Sequence, residues 1–345
     1  MTSVIKRPRV AIVFLGGTIA STNDSLGNDQ SGVRPQLGAD AILATVPGLD
    51  DVAELETLTF RQVPSGDLTL DDMTELATLV KEVVAAGAAG VVIVQGTDTL
   101  EETCFALDLL VRVEAPVVFT GAMRNPTALG SDGAANILAA VQVAASPSAV
   151  GLGTLVVAND EIHAARFVRK THATSLATFQ SPSAGPIGWV VEGRTRIVFR
   201  VPPLRVDEYG AGGPIPPVAL LTCALGDDAR QLSVIEDLGY VGVVIEAFGA
   251  GHVPARVMPA LAALAARVPV VFSSRTGGGS VLATTYGFAG SERDMLSRGL
   301  ISAGVLDGPK ARVLLSLALS RGLDIAGVTT VFNNFNDDVT SWDGR

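Results

Sequence analysis

The stretch VFLGGTIAST, residues 13–22, runs an apolar segment into a pair of glycines and then sets a lone hydroxyl, Thr18, behind them. The apolar segment, Val10–Leu15, is continuous rather than alternating. That marks a strand buried on both faces, as in a parallel sheet covered by helices. A second stretch, VVIVQGTDTLEET at residues 91–103, has the same construction: a strand, a glycine, then Thr97 and Asp98. Gly90–Val94, Pro116–Thr120, Gly153–Ala158, Val218–Thr222, Gly242–Glu246 and Val268–Ser273 are further predicted strands. Helical spacing between the strands covers Leu70–Ala86, Leu100–Val111, Gly133–Ala145 and Ala255–Ala266. Strands alternating with helices specify an α/β fold. Thr99 stands three residues before Glu102, the spacing of a capping box, and Pro254 precedes the last of these helices.

The alternation fails between residues 202 and 217, where prolines and glycines crowd and no periodicity survives. The sequence therefore predicts a larger N-terminal α/β domain with a mainly parallel sheet (residues 1–201), a Pro/Gly-rich linker (202–217) and a smaller C-terminal α/β domain (218–345). A chain of 345 residues with 48% hydrophobic content is long enough for two cores at roughly 150 residues per domain. The net charge of -10 argues against a nucleic-acid partner, which needs clustered Lys and Arg. Two cysteines, Cys104 and Cys223, are too few for a disulfide framework and suit a reducing cytoplasm. The N-terminal MTSVIKRPRVAIVFLGG is basic, but its apolar run is too short for a secretory signal. The longest run without a charge or a turn-forming polar residue, Val83–Val94, falls short of the ~20 residues that span a bilayer, so no membrane association is expected.

In open α/β sheets the ligand crevice lies beyond the carboxyl ends of the strands. Thr18 sits just past one such end. Glycines there let the chain turn sharply and let a substrate come close. A threonine hydroxyl is a weak nucleophile that needs a base, and Thr97 with Asp98 ends another strand in the same way. Any backbone N–H facing the crevice there could hold an oxyanion. Each motif alone also has a plain structural reading: Gly-Gly-Thr as a strand-to-helix turn, GTDT as a turn ending in an N-cap, and SDGAANI (131–137) as a helix start. Spacing by itself gives an α/β protein with a polar crevice.

The combination is more specific. FLGGTIAST, QGTDTLEET, TGAMR (120–124) and SDGAANILAA (131–140), in this order, resemble the bacterial-type L-asparaginase/glutaminase family. ATFQSPSAGPIGWV (177–190), SSRTGGGSV (273–281) and KARVLLSLAL (310–319) extend the resemblance over nearly the whole chain. The resemblance implies hydrolysis of the side-chain amide of L-asparagine, with weaker action on L-glutamine and with no metal or cofactor. It makes Thr18 the nucleophile and groups Thr97 and Asp98 with a lysine, Lys170 in RKTHATSLATF. It makes Ser65 a ligand of the substrate α-carboxylate, Asp98 the partner of its α-amino group, and the backbone near Thr97 and Ala122 the oxyanion site. Glu292 aligns with an acidic residue given by a neighbouring subunit, in a homotetramer of two intimate dimers. A solvated surface cation at Lys170 and a solvated helix-start acid at Glu292 are the bland alternatives.

Three departures from the family pattern stand out. The loop at residues 20–36 has no tyrosine, where many members carry one that helps activate the nucleophile, and counting from Thr18 puts Ser31 near that position. Gly66 follows Ser65 where glutamine is common. FGAGHVP carries Ala250 and His252 where asparagines often lie, so His252 is either a substrate contact across subunits or a loop histidine. His163 and His172 have no metal-ligand spacing and read as structural. Two other functions compete: the ammonia-producing subunit of a transfer-RNA amidotransferase, disfavoured because GGTIAST begins near residue 16, and a binding protein that kept the pocket without catalysis, to which the missing tyrosine lends some weight.

Overall fold

The computed structural model describes residues 7–17, 19, 21–23, 33–35, 38–202, 204 and 209–340. Two units follow one another along the chain, residues 1–203 and 204–345. Their boundary falls within the expected linker, but that stretch also carries an anchor. Tyr209 is fully buried, donates to the Asp338 carboxylate at 2.7 Å, and meets Phe335 edge-on.

The first unit is built on an eight-stranded sheet. Its strands in chain order are β1 (Arg9–Phe14), β4 (Glu54–Thr59), β5 (Gly90–Val94), β6 (Val117–Thr120), β7 (Thr154–Ala158), β8 (Glu161–Ala164), β11 (Gly188–Val191) and β12 (Arg194–Ile197). Two separate ribbons pair β2 (Ser21–Asn23) with β3 (Val33–Pro35) and β9 (Arg169–Lys170) with β10 (Phe179–Gln180). The main sheet runs β12-β11-β8-β7-β6-β5-β1-β4. From β7 to β4 every pairing is parallel; β8, β11 and β12 run antiparallel. The predicted strands of this unit match their counterparts to within a residue. The antiparallel strands escaped prediction because they are only four residues long and two of them, β11 and β12, are half exposed; β12 alternates exposed arginines with half-buried residues.

Helices α1 (Ala39–Leu43), α2 (Leu49–Val52), α3 (Leu70–Ala85), α4 (Leu100–Leu110) and α5 (Gly133–Ala144) flank this sheet. Val10, Ile12 and Phe14 of β1 and Val92 and Val94 of β5 share a core with α5 and with Ile42 and Leu49. The alternate residues Ala11, Val13, Val91 and Ile93 are equally buried. The continuous apolar runs thus have their cause: both faces of the central strands are covered. Asp108, near the end of α4, braces the layers. Its carboxylate accepts the Thr154 N–H at 2.9 Å and pairs at 3.1 Å with Arg166, whose other nitrogen donates to the Pro202 carbonyl.

The second unit carries a parallel sheet of β13 (Ala219–Thr222), β14 (Val243–Ala247), β15 (Val270–Ser274) and β16 (Ile301–Ser302), in that order. Its helices are α6 (Met258–Ala265), α7 (Glu292–Ser297), α8 (Gly308–Ser320) and α9 (Ile325–Thr340). The helix expected from Ala255 starts as a 3-10 turn, Ala255–Val257, and becomes α-helical only at Met258. Pro259 explains the delay: without an N–H it can stand in the first turn of a helix but not deeper.

His163 of β8 is fully buried, with Nδ1 3.0 Å from the Ser181 hydroxyl and Nε2 3.3 Å from Glu161. Burial pushes its pKa from 6.5 down to about 4. The unfolded chain then binds a proton that the folded chain refuses. Stability is complete above pH 6.5 and is lost as the pH falls toward 4, by about 3 kcal/mol at 1.36 kcal/mol per pKa unit. Urea titrations across this window should show a shallower pH slope in His163→Gln than in the wild type; equal slopes would remove His163 from the account.

Candidate active site

Four parallel strands deliver chain to one end of the first sheet. β1 leaves through Gly16 and Gly17, both at positive φ (102° and 94°). A Cβ on Gly17 would stand 2.2 Å from the Gly96 nitrogen, and one on Gly16 would stand 2.6 Å from the Val63 carbonyl. Only glycine permits this approach. It packs the main chain before residue 18 directly against the turn that follows β5. Thr18 and Ser31 lie outside the described residues.

After β5 the chain runs Gln95, Gly96, Thr97, Asp98, Thr99 and into α4. Gln95 is fully buried; its amide donates to the Gly96 carbonyl at 3.2 Å and accepts from Thr103 at 2.9 Å. Ser65, buried at the far end of the chain that leaves β4, braces the same turn. Its hydroxyl accepts the Asp98 N–H at 3.2 Å, and its carbonyl accepts the Thr99 hydroxyl at 2.8 Å. The expected capping box at Thr99 and Glu102 is therefore not made. Thr99 is the N-cap residue, but no N–H of the helix bonds to its side chain, because the hydroxyl is turned to Ser65. Gly66, next to Ser65, is exposed, and a Cβ there would meet nothing within 4 Å.

β6 contributes Gly121 and the buried Ala122. A Cβ on Gly121 would lie 2.6 Å from the Gln95 carbonyl and 3.2 Å from the Thr97 methyl. The α5 start holds this segment. Asp132 accepts the N–H groups of Met123 and Arg124 at 3.0 and 2.9 Å, and Asn136 donates to the Gly121 carbonyl at 2.9 Å.

Lys170 comes from the β9–β10 ribbon. Its ammonium donates to Thr97 Oγ1 at 2.9 Å and to Asp98 Oδ1 at 2.6 Å. The lysine side chain is 14% exposed and that of Asp98 80%, so one end of the group is packed in the protein and the other opens to solvent. An ammonium only donates. Thr97 Oγ1 must accept from it, which leaves the threonine's own proton to be given elsewhere. The solvated-surface alternative for Lys170 does not describe this geometry. His172, two residues on, accepts the N–H groups of Thr174 and Ser175 and caps the turn of the ribbon.

In the second unit the structure brings His252 and Glu292 together, with His252 Nε2 3.2 Å from Glu292 Oε2. Glu292 is fully buried rather than a solvated helix-start acid, and its other oxygen accepts the N–H groups of Thr285 and Tyr286 at 2.8 and 2.6 Å. Burial alone raises its pKa. The N–H groups of Tyr286, Glu292 itself and Thr285, with His252 beside it, outweigh that and hold the carboxyl below its ordinary range. His252 also stacks edge-on against Tyr286 and Phe288, both partly exposed.

Comparison with known proteins gives the family. Residues 9–202 match the asparaginase N-terminal domain and residues 217–332 match the glutaminase/asparaginase C-terminal domain. The chain belongs to the bacterial-type asparaginase family. It is 34% identical over 318 residues to the L-asparaginase of Bacillus licheniformis, covering 90% of this chain and 95% of that one. It is 32% identical to the glutaminase-asparaginase of Pseudomonas aeruginosa, covering 95% and 90% respectively. The crystal structure of a probable cytoplasmic L-asparaginase from Campylobacter jejuni superposes with a TM-score of 0.84 at 32% identity, over 95% of this chain and all of that one. Beyond the site residues expected from sequence, this asparaginase-family chain uses Gln95, Thr99, Asp132 and Asn136 as braces. Asp132 and Asn136 lie in the quoted SDGAANI motif, but which main-chain groups they hold is a matter of tertiary contact.

Two glycines of the site should respond oppositely to alanine. Gly17→Ala meets a positive φ and a backbone clash, and should lose roughly 1–3 kcal/mol of unfolding free energy. Gly66→Ala should stay within about 0.5 kcal/mol of wild type. Chemical denaturation of both variants checks the pair.

Proposed function

We propose that this chain hydrolyses the side-chain amide of L-asparagine to L-aspartate and ammonia by acyl transfer through Thr18. The observation that carries the reading is the Lys170 ammonium, within hydrogen-bond reach of both Thr97 and Asp98 at the end of the strand beside Gly17. In this scheme Thr18 Oγ attacks the amide carbon and loses its proton. N–H groups near Thr97 and Ala122 hold the resulting oxyanion. The C–N bond breaks as the nitrogen takes a proton, and ammonia leaves. Water then attacks the β-aspartyl ester, releasing aspartate and restoring the Thr18 hydroxyl. Thr97, with Asp98 and Lys170 behind it, moves protons during these steps. Asp98 also holds the substrate α-ammonium, and Ser65 its α-carboxylate. The scheme needs no metal or cofactor.

The same reading assigns the chain to a homotetramer of intimate dimers and aligns Glu292, held against His252, with an acidic residue that a neighbouring subunit contributes. It assigns the chain to the cytoplasm, supported by the cysteine pattern and by the similarity to the C. jejuni protein described as a probable cytoplasmic L-asparaginase. Among the described residues no helix is long and apolar enough to cross a membrane.

Ammonia release from asparagine by Thr18→Ala should fall by several powers of ten with the fold intact, as for removal of any nucleophile. Activity within about tenfold of wild type would take that role from Thr18. Lys170→Met should be severely impaired as well, with thermal unfolding unchanged.

Asparagine should be preferred over glutamine in kcat/KM by up to about one to two powers of ten, the full worth of one hydrogen bond to a charged group, since the loss falls on both substrates and only the difference between them counts. The basis is Gly66, which offers the substrate backbone no side-chain amide beside Ser65, and on which the longer substrate depends more. Gly66→Gln should narrow the ratio; near-equal values in the wild type would make this a dual glutaminase–asparaginase instead.

A further inference from the structure

We propose that Glu101 is a positioning residue that sets the reach of Lys170 by holding its main chain. The proposal rests on the acyl-transfer reading above. Lys170 belongs to a strand of two residues, paired only with the two residues of β10 and separate from the eight-stranded sheet. A two-stranded ribbon is marginal by itself. Yet its lysine must hold an ammonium within hydrogen-bond distance of two groups at once. The Lys170 N–H is given to the Glu101 carboxylate, at 2.5 Å from Oε2. A hydrogen bond to a charged acceptor is among the stronger ones.

The location of Glu101 gives the clamp its meaning. It stands in the first turn of α4, three residues after Asp98 and four after Thr97. The same helix start therefore presents the two groups that the ammonium must meet and the carboxylate that fixes the backbone behind it. Both ends of the lysine, main chain and Nζ, are referred to one rigid element. A negative charge in the first turn of a helix also sits favourably against the helix dipole. The Glu101 carboxylate meets Lys170 at its main chain, so its action on the chemistry passes through Lys170.

Steady-state kinetics of the full-length enzyme on asparagine, for Glu101→Ala, Glu101→Gln, Glu101→Asp and Lys170→Met, test this. Glu101→Ala should lower kcat about ten- to a hundredfold, the usual cost of misplacing a catalytic group by an ångström or so. KM should move less than about threefold, because Ser65 and Asp98 remain. Glu101→Gln keeps the length and a carbonyl acceptor and should recover most of kcat. Glu101→Asp keeps the charge but withdraws it by one methylene and should stay impaired. Should the alanine variant fail to fold, the Gln–Asp comparison still decides. A Glu101→Asp enzyme as active as Glu101→Gln, or more so, overturns the proposal, as does a Glu101→Ala enzyme with wild-type kcat. Lys170→Met separates the levels: if it is dead while Glu101→Ala is unaffected, only the clamp fails; if Lys170→Met is active, the reading beneath it fails.

Discussion

The site depends on one close approach of main chain to main chain. β1 and β5 are neighbours in a parallel sheet, and where they end, Gly17 lies against Gly96 with no room for a Cβ between them. Side chains at either position would push the two turns apart. Thr18 follows the first glycine in sequence and Thr97 the second, so the contact brings the main chain just before each threonine to one point. Gly121, closed down on Gln95 and Thr97 from the next strand over, extends the same device to a third turn.

Polar bonds then fix what the glycines bring near. Ser65 ties the exit of β4 to that of β5, and Asn136 ties the exit of β6 to that of β7, while Gln95 and Asp132 each brace the strand-to-helix turn they belong to; Ser65, Gln95 and Asn136 are buried. A buried hydrogen bond is worth about 1 kcal/mol net, and breaking it on one side costs more. The bonds therefore specify geometry more than they add stability. Lys170 is the exception in origin, because it arrives from a two-stranded ribbon rather than from the sheet. The ribbon is secured at several points: the Ser181–His163 contact just beyond β10, the turn capped by His172, and the Glu101 carboxylate at Lys170 itself.

How much of this could be read from the chain follows from where each signal sits. The central parallel strands were legible because burial on both faces leaves a run such as VVIV with no polar residue at all; the parallel edge strand β4 was not, because ELETLT has no fully buried residue. β12 was not, because RTRI alternates toward solvent and resembles a loop. The site residues at strand ends were legible as Gly-Thr and Gly-Thr-Asp motifs, while Lys170 was assigned only through resemblance, since nothing in RKTHATS by itself points at residues seventy positions away. Thr99 shows the limit of local rules. Its spacing to Glu102 fits a capping box, yet a tertiary acceptor, the Ser65 carbonyl, takes the hydroxyl instead. Glu292 was legible as an acid at a helix start, but its burial and its pairing with His252, forty residues earlier, were not.

The central claim is covalent catalysis by a threonine behind the first glycine pair. Rapid acid quenching of the enzyme during asparagine turnover, followed by proteolysis and mass spectrometry, tests it most directly. The account predicts a peptide containing Thr18 heavier by one aspartyl group, with Lys170→Met raising or lowering its amount but not changing its location. An adduct on the peptide containing Thr97, or turnover at full rate with no adduct on any threonine, would contradict it.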